Sequence, residues 1–338
     1  SNLGIRNNYD KGDYDFNYGY PTSKFGFLKT SSYVSAGTTT QGTNYDEYIT
    51  ETEYTRLANN TRPSDYSNVY FIIPNAGLLA KADDIDYTIT TDEGTTTTEV
   101  RNFVLWYDID LSQSQYSTWT SLIFKTTTTT DNGDTYIPIN FDGREKTISG
   151  LTSPLFDMIG PSTGIEVVTR SNIRNLRLTD AEISSNGLLA IRIYDSDISN
   201  ITLSGSIKNA TVGELIDKSN NSGFLELIND LLQGLFDDFN ITSIFGEDFK
   251  YLTIGALASE AQNSTISTVT NMVTIDVDGF SSGYSVLAVG GIVGTMLDST
   301  INYSSNYAPI NVYSTANTAT QNTATQNYYV GGIVGLVV

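Results

Sequence analysis

Short apolar triplets, each led by glycine or proline, recur along the chain: Pro154-Leu155-Phe156, Gly187-Leu188-Leu189-Ala190, Gly255-Ala256-Leu257-Ala258, Gly291-Ile292-Val293 and Gly332-Ile333-Val334. The steps between them are 33 residues (Leu155 to Leu188), 68 (Leu189 to Leu257), 35 (Leu257 to Ile292) and 41 (Ile292 to Ile333). An interval of this size marks stacked repeats, in which no unit buries its apolar side alone and each leans on the next. The 68-residue step is about two intervals, so one unit carries an insertion.

Between the triplets lie segments such as Ile173-Arg174-Asn175-Leu176-Arg177-Leu178 and Ile198-Ser199-Asn200-Ile201-Thr202-Leu203. Their alternation turns the aliphatic residues inward and the polar ones outward, as half-buried strands require. Strands of this kind, broken by Gly, Asn and Ser turns, suit a coil whose successive turns stack about 4.8 Å apart. Glycine pairs fit corners where a Cβ would clash. Gly290, Gly291, Gly294, Gly331, Gly332 and Gly335 are therefore read as scaffold, and valine at Gly291 or Gly332 is expected to lower thermal stability.

The insertion has its own pattern. Phe224-Leu225, Leu227-Ile228, Leu231-Leu232 and Leu235-Phe236 form one apolar stripe at helical spacing, opposite Glu226, Asp230, Asp237 and Asp238. An amphipathic helix within about residues 212–239 is expected to pack on the flank of the coil. No Lys or Arg occurs from 219 to 249, which argues against a membrane surface.

Residues 1–130 differ in texture, being rich in Tyr, Thr, Asp and Asn, and read as a β-rich domain ahead of the repeats at 131–338. Val69-Tyr70-Phe71-Ile72-Ile73 is a buried strand ending at Pro74. Asp86 to Thr90 and Glu99 to Tyr107 read as strands around a turn at Asp92-Glu93-Gly94. The threonine runs at 38–40, 95–98 and 126–130 suit extended chain. The fold expected is all-β: a right-handed parallel β-helix with one inserted amphipathic helix, preceded by that β-rich domain.

Composition narrows the chemistry. Eighteen basic against 38 acidic side chains give a net charge of −20, which repels nucleic acid and anionic membranes. There is no cysteine, so no disulfide and no thiolate site. There is no histidine, which removes the Ser-His-Asp triad and the His-based zinc sites. Carboxylate pairs are what an enzyme would have left. No apolar run is long enough to span a bilayer. The chain opens Ser1-Asn2 without a signal peptide and stops inside the apolar segment Gly331–Val338, so both ends read as trimmed, the C-terminal one as a truncated repeat.

Asn140-Phe141-Asp142-Gly143 through Ile148-Ser149-Gly150-Leu151 resembles the opening motif of many secreted β-helices. Val289-Gly290-Gly291-Ile292-Val293-Gly294 and Val330-Gly331-Gly332-Ile333-Val334-Gly335 resemble the GLUG motif of bacterial cell-surface proteins, adhesin-like repeats and immunoglobulin-cleaving proteases, with Ile replacing the Leu. The resemblance spans about residues 136–338. It implies an extracellular, cell-surface location and a β-helical fold, and it carries over no catalytic residue.

Asp195-Ser196-Asp197 and Asp276-Val277-Asp278-Gly279 are carboxylate pairs at turns. Turn chemistry explains such pairs, since Asp bonds its own backbone; Asp195, Asp197, Asp276 and Asp278 are nonetheless the candidates for Ca²⁺. Asp13 to Gly19 fails the EF-hand pattern, with Tyr18 and Lys24 where Gly and Glu belong. No other cofactor is expected. The N-terminal tyrosines (Tyr9, Tyr14, Tyr18, Tyr20, Tyr33, Tyr45, Tyr48, Tyr54) either pack a β-domain or offer a glycan- or protein-binding surface.

The function expected is a cell-surface binding, adhesion or spacer module rather than an enzyme, with a glycan or protein of a host or neighbouring cell as partner. The alternatives are a carboxylate-dependent polysaccharide-degrading enzyme and a structural subunit of a surface layer or filament.

Overall fold

In the computed structural model the described residues are 27–29, 69–73, 75–80, 82–84, 86–91, 94–99, 102–105, 107–112, 116, 118–126, 135–160, 170–184, 187–208, 251–278, 286–313 and 327–337. The helix expected within 212–239 and all eight N-terminal tyrosines lie outside them. Helix among the described residues amounts to Ala76–Leu79 and the 3-10 turn Ala82–Asp84. The protein is all-β, with mainly parallel sheets.

The early strands are β1 (Phe27–Lys29), β2 (Val69–Ile73), β3 (Asp86–Thr91), β4 (Gly94–Glu99), β5 (Asn102–Leu105), β6 (Ile109–Asp110), β7 (Lys125–Thr126) and β8 (Thr135–Tyr136). Then come β9 (Asn140–Ser149), β10 (Phe156–Ile159), β11 (Ser171–Ile183), β12 (Ala190–Tyr194) and β13 (Ser196–Lys208). After the insertion follow β14 (Tyr251–Gly255), β15 (Ala258–Gln262), β16 (Thr265–Asp278), β17 (Val286–Gly290) and β18 (Val293–Leu297). The last are β19 (Thr300–Asn302), β20 (Ser305–Asn306), β21 (Ile310–Tyr313), β22 (Asn327–Gly331) and β23 (Val334–Val337).

Three sheets share these strands apart from β3 with β4 and β7 with β8, which form two antiparallel pairs of their own. The largest runs β1-β2-β5-β9-β11-β13-β16-β19, with β20 and β21 also on β16 and β6 on β9; the second runs β10-β12-β15-β18-β23; the third runs β14-β17-β22. From β14 onward each circuit of the chain lays a strand in the third, the second and then the first sheet. It returns beside its starting point 35 residues later (Tyr251 beside Val286) and again 41 later (Val286 beside Asn327). The 68-residue step is a single rung, Ala190 beside Ala258. The spacings read from the sequence are thus the rung lengths of a solenoid-like stack.

Alternation explains which side chains enter the core. In β13, Ile198, Ile201, Leu203 and Ile207 are buried, each contributing about 1.5–3 kcal/mol through burial. Ile198 and Ile201 are three apart, so simple alternation would expose one of them. Asn200 between them has φ 54°, and this left-handed residue brings the next side chain back into phase. Asn175 does the same on β11, and Thr268 and Tyr303 repeat it on later rungs.

One feature departs from the sequence reading. The second arm of the early hairpin is the threonine run β4, with Thr91 opposite Gly94, rather than the segment from Glu99 to Tyr107. That later segment supplies β5, whose Phe103, Val104 and Leu105 are all buried and which joins the first sheet beside β9. Parallel pairing also runs across the change of texture near residue 130. Phe103 and Phe124 close a four-ring cluster with Phe141 and Phe156, at centroid distances of 5.3–6.4 Å. One apolar core extends from Ile73 to Met296.

Candidate functional site

The corners carry most of the polar order. Asp195, Asn263 and Asp298 stand where the second sheet hands over to the first, each with a left-handed φ of 44–46° and each followed by serine. Asp and Asn tolerate this conformation better than other non-glycine residues because their short side chains bond locally. Asn263 Nδ2 donates to Asp195 Oδ1 on the next rung. The serines stack beside them: Ser196 N donates to Ser264 Oγ at 3.1 Å, and Ser264 N to Ser299 Oγ at 3.0 Å. Buried backbone groups that leave the strand ladder at a corner thereby keep partners, as they must.

A second ladder ties the glycine corner to the first sheet. Asn271 is fully buried; its Nδ2 donates to Gly291 O at 2.6 Å and to Asn306 Oδ1 at 2.9 Å, and its Oδ1 accepts from Val273 N at 2.9 Å. Gly290 and Gly331 share a column with Gly255 at the ends of the third sheet's strands, while Gly294 and Gly335 follow the corner on β18 and β23. A Cβ at Gly290 would lie 1.9 Å from Val293 O, and one at Gly291 would lie 2.1 Å from Gly332 O. Gly332 is different, because nothing lies within 4 Å of its would-be Cβ. The loss of stability expected of valine therefore follows from the packing at Gly291 but not at Gly332.

The candidate Ca²⁺ ligands are divided among nitrogen donors. Asp195 accepts from Asn263, and Asp197 receives a forked contact from Arg170, with Nε at 3.2 Å from both oxygens and a terminal nitrogen at 3.0 Å. Asp276 accepts from Asn311 Nδ2 at 2.7 Å, and the side chain of Asp278 lies outside the described residues. Among the described residues no three acidic side chains converge. Treatment with EDTA is accordingly expected to leave the melting temperature unchanged within about 1 °C, since only bound ligand adds stability by mass action. A fall of several degrees, reversed by CaCl₂, would restore the Ca²⁺ reading.

The most unusual chemistry is a group that sequence reasoning missed. On the second sheet Arg192 lies beside Glu260 in register, with Nε 3.4 Å from Oε2 and side chains 15% and 2% exposed. Neither of these two atoms, nor Gln262 Oε1 two residues on, has a hydrogen-bond partner among the described residues. Tyr136 donates from its hydroxyl to Asp157 Oδ2 at 2.9 Å within the same charged neighbourhood. Burial raises the Glu260 pKa, and Arg192 only partly offsets it. Burial likewise pushes the Tyr194 hydroxyl up, with Glu260 adding to the effect. Burial is the largest single influence on Arg192 and works against its charge, but Glu260, Tyr194, Asp157 and Tyr136 together outweigh it, and its pKa rises. Perturbed groups of this kind mark functional sites often enough to be candidates. Here, however, the carboxylate is enclosed, so a substrate would have no path to it without the fold opening. No local signal could have paired two residues 68 apart.

No family model and no curated protein matches the chain. Among solved structures it is similar to one from Bacteroides ovatus assigned provisionally as an immunoglobulin A1 protease. The identity is 13%, over 83% of this chain and 86% of that one, with a TM-score of 0.28. A likeness that slight supports no inference about fold or function. What the geometry itself defines is an all-β protein of parallel, rung-stacked sheets.

Proposed function

We propose that the chain is a binding or spacer module of an extracellular surface protein, built as a right-handed parallel β-helix of the GLUG-like kind. Right-handedness follows the rule that crossovers between parallel strands of one sheet take that hand in about 98% of cases. The observation that carries the functional reading is how the polar side chains are used. Along the corners and outer columns they bond to one another from rung to rung, as in Asn200 to Asn175 and Asn271 to Asn306, and so stiffen the stack. The buried carboxylates Asp142 and Glu260 each face an arginine and not an open cleft.

The test is to incubate the purified chain with immobilised glycans and extracellular proteins, scoring retained protein and new reducing ends. Retention without cleavage is the expected result. New reducing ends would overturn the proposal in favour of a carboxylate-dependent polysaccharide-degrading enzyme. Failure of every surface to retain the chain would remove binding and reduce the proposal to a spacer.

A further inference from the structure

We propose that Arg192 is a shared counter-ion for Glu260 and Asp157, passed from one to the other by a proton, so that the second sheet holds a pH-operated switch. Strand β12 lies between β10 and β15. Arg192 is in register with Glu260 on one side and with Met158, the neighbour of Asp157, on the other. Rungs stand about 4.8 Å apart, a distance an arginine side chain spans in either direction. One guanidinium therefore has two carboxylates to serve, and the three charges cannot all be matched.

The contact with Glu260 is close but is not a hydrogen bond. Arg192 Nε lies 3.4 Å from Glu260 Oε2, and neither atom has a hydrogen-bond partner among the described residues. A guanidinium committed to this carboxylate would meet it with parallel N–H···O bonds. Asp157 acts on the Arg192 charge as well, from the other flank. It is half-buried and already accepts from the Tyr136 hydroxyl at 2.9 Å.

The two carboxylates differ in how they bear the loss of the cation. Asp157 keeps Tyr136 and part of its contact with water, whereas Glu260 is 2% exposed and its Oε2 is unpartnered. A proton from solvent accordingly goes to Glu260, where burial favours the neutral acid. Tyr194, the other titratable group beside it on β12, stays neutral because burial pushes its hydroxyl up. With Glu260 protonated, one cation and one anion remain, and Arg192 turns to Asp157. As pH rises through the Glu260 midpoint, which burial sets above 4.5, the proton leaves and Glu260 draws the guanidinium back. Arg192 thus tethers β12 to β15 above that midpoint and to β10 below it. Among the described residues the charge that acts on Glu260 is Arg192, so the effect of Asp157 passes through the guanidinium.

Carbon-13 NMR of the full chain labelled at the Asp and Glu carboxyls tests this, with Glu260→Gln and Asp157→Asn assigning the two signals. The Asp157 signal is expected to shift a second time at the pH where Glu260 titrates. Asp157→Asn is expected to lower the Glu260 midpoint by roughly half a pH unit or more, since it leaves Arg192 to Glu260 alone. Tyr136→Phe is expected to raise it, because Asp157 without that hydroxyl draws harder on the guanidinium. A merely structural role would not give shifts of opposite sign, and Tyr136→Phe carries the test alone should Asp157→Asn fail to fold. The proposal is overturned if Glu260 titrates at or below 4.5, if Asp157 passes through the Glu260 midpoint unmoved, or if a folded variant does not move that midpoint in the stated direction.

Discussion

Alanine at Gly290 is expected to cost about 3 kcal/mol or more, seen as a fall of roughly 4 °C or more in melting temperature, while alanine at Gly332 leaves the melt where it was. The two glycines stand in consecutive copies of one Gly-Gly-Ile-Val-Gly motif. At Gly290 the added carbon would meet Val293 O at 1.9 Å and Gly335 N at 2.6 Å, both backbone atoms of the strands it packs against. Backbone held by ladder bonds on both sides cannot yield by the roughly 1 Å or more that relief of such a contact requires. The stack would have to part at the corner, taking with it the Asn271 bond to Gly291 O. At Gly332 the same carbon enters open space. Thermal melts of the two variants check the claim; equal shifts would show that the corner yields or that the second copy is packed as tightly as the first.

Glu260→Ala is expected to cost about 3–5 kcal/mol, because it leaves the Arg192 guanidinium buried without the carboxylate it meets in register. Removing both charges at once should not. With Arg192→Met and Glu260→Leu together, the penalty falls to about zero or reverses by about 1–4 kcal/mol, since a single 3.4 Å contact repays little of the desolvation. The pair is thus a determinant of register rather than of net stability. It joins the rungs on either side of residues 209–250, where the apolar columns alone would tolerate a slip of two residues. Urea unfolding of the two single variants and the double variant measures the coupling, and additive effects would sink the idea.

The same carboxyl has a signature in pH. Its folded pKa is raised by burial above the ordinary 4.5, so the folded state holds the proton more tightly than the unfolded one. Its contribution to stability is complete below 4.5 and is lost as pH rises through the raised folded value. The wild type should therefore lose stability over that window relative to Glu260→Gln, and parallel melting curves against pH would count against it.

Much of the architecture was legible because it follows from local rules. The apolar triplets marked the rungs, and the 35- and 41-residue steps from Leu257 through Ile333 are the rung lengths observed. Val69–Ile73 is a strand with the limits its apolar run and Pro74 imply. The hairpin differs from its expected place because the threonine run at 95–98 and the apolar Phe103-Val104-Leu105 both read as strand, and only pairing separates an edge arm from a central strand. The candidate site was far less visible. Asp195 and Asp197 look like a carboxylate pair in sequence, yet they turn to Asn263 and Arg170, which are 68 residues after the one and 27 before the other.

By itself, then, the sequence determined the strands, their inward faces, the repeat interval and the corners, since alternation and glycine placement act within a few residues. Tertiary structure alone decided which corner residues would be left-handed, that Tyr303 would continue the left-handed column of Asn175, Asn200 and Thr268, and that Arg192 would meet Glu260. Those outcomes depend on which rung lies against which, and the register between rungs is set by the summed packing of all the columns together.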